Sequence, residues 1–69
     1  MNWNQVQGNW KQFMGKAKDT WGDLTADELT QIAGKRDALL GLVQTKYGIA
    51  QEEAEQQIKD WEKVHEVQD

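Results

Sequence analysis

One frame, Gly-x6-Gly-x5-aromatic-Gly, occurs twice in this chain, at residues 8–22 and again at 34–48, an offset of 26 residues. The same offset aligns Val6 with Ile32, Phe13 with Leu39, Met14 with Leu40, Ala17 with Val43 and Trp21 with Tyr47. A supersecondary unit repeated at fixed spacing cannot bury its apolar face alone and must pack against its copy. In 69 residues two such units fill one domain, and a second core has no room.

Each frame is followed by a helix start. In Leu24-Thr25-Ala26-Asp27-Glu28-Leu29, Thr25 caps the new amides, Glu28 reaches back, and Leu24 and Leu29 close a hydrophobic staple. The second start keeps Ile49, Glu53 and Ala54 but puts Ala50 at the cap, so it is weaker. Gly22 and Gly48 each follow an aromatic residue and suit the left-handed position that ends a helix. Gly34 separates the helices on either side of it. The reading is all-α, with four helices at about 3–21, 25–33, 35–47 and 51–65, two per repeat.

Periodicity agrees. At 100° per residue Trp3, Val6, Trp10, Phe13, Met14, Ala17 and Trp21 share an arc of about 100°. Leu39, Leu40, Val43 and Tyr47 form one face of the third helix, and Ala54, Ile58, Trp61 and His65 one face of the fourth. These stripes are narrow, and crossing helix pairs pool them into one small core. The four tryptophans lie on them and are read as core rather than as a stacking surface for bases.

Composition removes whole classes of function. There is no cysteine, no serine and one histidine, so neither a Cys–His pair nor a Ser–His–Asp triad can be built. His65 reads as a partly covered residue at a fraying end. Glu52, Glu53 and Glu55 sit where a helix dipole favours negative charge, which accounts for them without acid–base chemistry. Asp19, Asp23 and Asp27 lack the oxygen spacing of a calcium loop, and Gly15-Lys16 and Gly34-Lys35 lack that of a phosphate loop. No enzyme activity, cofactor, metal or small-molecule substrate is expected.

The N-terminus carries no signal-peptide pattern and no stretch is long and apolar enough for a membrane span, so a soluble, cytoplasmic monomer is expected. A net charge of −4 opposes non-specific binding to nucleic acid or anionic membranes. The charge alternates, however: +2 over residues 1–22, −3 over 23–34, +2 over 35–48 and −5 over 49–69. A nucleic-acid module using the basic first and third helices is therefore the alternative reading.

The outward glycines are the remaining oddity. Gly8 and Gly15 point about 150–170° away from the apolar arc, beside Lys11 and Lys18, and Gly41 points away from its own helix's apolar face. Each costs roughly 0.5–1 kcal/mol of helix stability relative to alanine. Either the helix frays locally or tolerates a loose bend there, or the bare backbone lets a macromolecular partner approach closely. Gly8, Lys11, Gly15, Lys18 and Gly41 form the candidate interaction face.

The segments GNWKQFMGKAK, AGKRDALLGLVQTKYG and EEAEQQIKDW, in this order and spacing, closely resemble the CsbD-like family of small bacterial stress-response proteins across nearly the whole chain. The resemblance implies a cytoplasmic bacterial protein of the general stress or stationary-phase response, and with the polar composition it leads to the expectation of a non-enzymatic protein that acts through weak contacts with other macromolecules or as a hydrophilic protectant. It also implies a fold like that of sterile-alpha-motif domains, with two helix hairpins packed nearly orthogonally. It carries over no functional residue.

Overall fold

The computed structural model describes residues 1–68, and among them it has five α-helices and no strand: α1 Trp3–Gly8, α2 Trp10–Thr20, α3 Ala26–Ile32, α4 Arg36–Tyr47 and α5 Gln51–Val64. The all-helical expectation holds, but the first helix is two helices. α1 opens on an Asn2–Gln5 capping box, each residue's side chain accepting the other's backbone N–H at 2.9 Å. It ends at Asn9, whose φ of −116° and ψ of 28° leave the helical region. The Asn9 N–H contacts both the Gln5 and Val6 carbonyls, and its side-chain amide donates to the Gln5 carbonyl at 3.0 Å. An asparagine competing for backbone groups, next to a glycine of poor helix propensity, is a sufficient cause for the break. Of the two explanations for the outward glycines, a bend therefore applies at Gly8 but not at Gly15, which lies within α2.

The other boundaries fall within a residue of expectation. Thr25 Oγ1 accepts from the Glu28 N–H and Glu28 Oε1 accepts from the Thr25 N–H, so the predicted capping box is formed. Ala50, as expected, makes no side-chain cap. Gly48 ends α4 in the left-handed conformation at φ 60°. Gly22 does not adopt a positive φ; α2 ends instead at Trp21, in extended backbone, and the chain reaches α3 through an open turn. Between α3 and α4 two successive left-handed residues, Ala33 (φ 54°) and Gly34 (φ 76°), reverse the chain.

The principal packing pairs are α2 with α3, α4 with α5, α3 with α4, and α1 with α2. Val6, Ala17, Leu24, Leu39, Val43, Ala54 and Ile58 are fully buried between them. Trp61 of α5 sits among rings from the N-terminal half, with centroids 5.9 Å from Trp3, 5.9 Å from Phe13 and 6.0 Å from Trp21. Tilted and edge-on pairs of this kind add to the area each ring buries. Met14 and Leu40 are only half-buried, and Tyr47 is exposed rather than core.

His65 is partly covered, but the end it occupies does not fray. Its ring lies 4.8 Å from Trp61, and Glu66 at φ 57° turns the chain back. Val67 is buried and its N–H donates to the Glu62 carbonyl at 2.8 Å. The Met1 ammonium donates to the Glu66 carbonyl at 3.1 Å, and the Gln68 N–H donates to the Met1 carbonyl. Residues 66–68 thus clasp the N-terminus.

Candidate interaction surface

Gly8, Lys11, Gly15, Lys18 and Gly41 are all exposed. A Cβ added at Gly8, Gly15 or Gly41 meets nothing within 4 Å, and none of the three has a positive φ. Neither packing nor backbone conformation demands glycine at these positions. Gly34 is the opposite case: it is left-handed, and a Cβ there comes within 3.0 Å of the Gln7 backbone and 3.2 Å of the Trp10 ring. The fold needs that glycine to let α1 and α2 close over the α3–α4 turn.

Gly8, Lys11, Gly15 and Lys18 follow the outer side of α1 and α2, and Gly41 lies on α4. Lys18 has a structural task as well. Its Nζ donates to the Leu24 carbonyl at 3.0 Å, fastening the turn that follows α2. Lys16, which belongs to the same basic segment, lies 4.8 Å from the centroid of the Phe13 ring. Lys11, between the two open glycines, has no hydrogen bond, ion pair or ring contact among the described residues.

A second surface feature was not legible in the sequence. Trp21, Gln57, Asp60, Trp61, Val64 and His65, with Thr20, line an open groove of about 310 Å³. Trp21 Nε1 donates to Gln57 at 2.9 Å, whereas Trp61 Nε1 is buried without a hydrogen-bond partner among the described residues. Burial, and then the charge of Lys16, hold the His65 imidazole below its ordinary pKa, so the ring is neutral over a wider pH range. The groove's hydroxyl and carboxylate have partners elsewhere: Thr20 donates to the Lys16 carbonyl, and Asp60 accepts from Gln56. Among the described residues no group of three or more His, Asp or Glu side chains is placed to hold a metal ion, and no helix is long and apolar enough to cross a membrane.

The polar network behind this face also escaped the sequence reading. Glu62 is buried, and its Oε2 accepts from Trp3 Nε1 at 2.5 Å and from Arg36 Nε at 3.1 Å. Arg36 also forks onto Glu55, with 2.6 Å and 3.2 Å contacts. The guanidinium is held firmly in its charged form, chiefly by Glu55. Three elements, α1, α4 and α5, meet at one carboxylate. The available signal was position: Glu62 follows Trp61 on the apolar stripe of α5, where a charge must be paired if it is to be buried.

A family model described as CsbD-like matches residues 4–56. A UPF0337 protein of Pectobacterium atrosepticum is 57% identical over 65 residues, 94% of either chain. A second, from Nitrosomonas europaea, is 62% identical over 58 residues, which are 84% of this chain and 62% of that protein's length. The UPF0337 protein YjbJ of Escherichia coli is 52% identical over 62 residues, 90% of either chain.

Proposed function

The chain belongs to the CsbD-like family, and from that premise we propose that it is a non-enzymatic protein of the bacterial general stress response, acting in the cytoplasm through weak contacts with other macromolecules. The observation that carries this reading is the contrast among the glycines. Gly34 is left-handed and has no room for a Cβ, and Gly48 has a left-handed backbone that favours glycine, while Gly8 and Gly15 have open space and no positive φ. Glycines on helices whose packing does not need them cost up to roughly 0.5–1 kcal/mol each. Contact of a partner with the bare backbone beside Lys11 accounts for that cost.

Nucleic acid is the weaker candidate for that partner. Lys18 is engaged by the Leu24 carbonyl and Lys46 by Glu28 at 2.8 Å, which reduces the cations free to meet phosphates, and the net charge is −4. The reading extends to the architecture: the α2–α3 and α4–α5 pairs are compatible with two hairpins crossing nearly at right angles, as in sterile-alpha-motif domains.

The test is photo-crosslinking in stressed cells, with the reactive side chain placed at Lys11 in one strain and at Glu53 of α5 in another. Adducts that are enriched from Lys11 and lost in Gly8→Asp/Gly15→Asp support the reading. Equal adduct patterns from the two positions sink it.

A further inference from the structure

The N-terminal helix is held in an unusual way. Six residues are too few to be helical on their own, so α1 exists only where it docks. Its docking partners are far away in the chain. Trp3 stacks near Trp61 and donates to Glu62, Gln7 lies against Gly34, Met1 bonds Glu66, and Asn2 pairs with Gln68 in an isolated parallel bridge. Toward α2, by contrast, α1 is joined through a single non-helical residue, Asn9.

Across that joint the sequence is written for a straight helix. Trp3 and Val6 continue the apolar arc of Trp10, Phe13 and Ala17 at helical spacing. Asn9 has a negative φ, and its N–H already reaches the Gln5 carbonyl at 3.0 Å, the bond a continuous helix would make. Rotation about few bonds therefore converts α1–Asn9–α2 into one helix. That conversion carries α1 away from its own docking face, removing Trp3 from Trp61 and Glu62 and Gln7 from Gly34. The segment that fits this face is α1 itself, supplied by a second copy.

We propose that α1 is an exchangeable arm: in a second state residues 3–20 form one helix, and two copies of the chain trade α1 segments, each docking on the Trp61–Glu62–Arg36 face of the other. Every docking contact of the monomer is remade between chains, so the exchange costs little beyond association, the condition under which swapped dimers arise. The partner is a second copy of this chain and the control point is residue 9. Because the connection is a single residue, a modest gain in helix propensity there favours the straight form.

The test uses the full chain and exploits its lack of cysteine. Asn2→Cys and Gln68→Cys, placed at the paired bridge positions, report whether the N-terminus docks on its own chain or on another. In an otherwise wild-type background, oxidation in dilute solution should give a monomer closed on itself. With Asn9→Ala added, concentrated protein should sediment as a dimer, with the dimer fraction raised tenfold or more. Oxidation should then lock it as a covalent dimer on a non-reducing gel. Inserting two glycines after Asn9 should return the protein to the self-closed monomer. Each other outcome overturns the proposal. A folded Asn9→Ala protein that stays a self-closed monomer at all concentrations shows that residue 9 is not the control point. A dimer that oxidises only within chains is not swapped. Loss of the fold in Asn9→Ala means that residue 9 cannot be helical.

Discussion

The two copies of the repeat carry the same frame and use it differently. In both, the first glycine marks the end of one helix, since α2 (Trp10–Thr20) falls onto residues 36–46 of α4 under the 26-residue offset. The second copy reverses the chain there through left-handed Ala33 and Gly34, whereas the first only bends at right-handed Gly8 and Asn9. At the other end of the frame Trp21 is 2% exposed and packs on Trp61, while its counterpart Tyr47 is 37% exposed and accepts the Asp23 N–H with its hydroxyl. The aromatic of the first copy builds the core, and that of the second pins a turn of the first. One pattern thus serves two jobs, according to what each copy packs against.

The aromatic pair offers the largest test of that difference. Trp21→Ala should cost about 3–5 kcal/mol, as large aromatic truncations in cores do, a large share of the stability of a domain of this size. Tyr47→Ala should cost about 1 kcal/mol, one hydrogen bond and a partly exposed ring. Urea melts compare the two, and equal costs would break the comparison. The helix starts come next. Thr25→Ala removes the cap bonded to Glu28 and should cost about 1 kcal/mol, whereas Ala50→Thr supplies the cap that α5 lacks and should gain up to about 1 kcal/mol. If Ala50→Thr gains nothing, the second copy does not tolerate the first copy's device.

The smallest effect is a pH slope. Burial lowers the folded pKa of His65, so the unfolded chain binds that proton more readily. The resulting stability is present above the ordinary value of about 6.5 and is lost as pH falls below it. Thermal melts between about pH 8 and pH 5 should show a slope in this region that His65→Phe reduces. An unchanged slope assigns it to other groups.

How much of this was legible from residues alone divides along physical lines. Local chemistry was: Thr25 with Glu28, Gly48 after Tyr47, and the 3.6-residue spacing of Trp10, Phe13 and Ala17 follow from interactions a few residues apart. The Asn9 break also has two local signals. Gly34 separates two helices and the repeat places Gly8 at the equivalent position, and Asn2 and Gln5 have capping-box spacing ahead of a very short helix. What was not legible is long-range. The meeting of Glu62 with Trp3 and Arg36 joins positions 59 and 26 residues apart, and the return of Val67 depends on a left-handed Glu66 that no local preference favours. The candidate face was half legible. Exposure of its glycines and lysines followed from helical geometry, but the bond from Lys18 to the Leu24 carbonyl depends on how the chain turns after α2.

Gly8 and Gly34, equivalent in the repeat, answer to different demands: the fold requires glycine at 34 and does not require it at 8. The most direct measurement is the unfolding free energy of Gly8→Ala and Gly34→Ala, each from a urea melt against wild type. Gly34→Ala must force a side chain into a left-handed position against Gln7 and Trp10, and should destabilise by about 1–3 kcal/mol. Gly8→Ala meets open space on helical backbone and should stabilise by about 0.4–1 kcal/mol. Opposite signs are the predicted result, and a loss of stability in both variants would contradict the account.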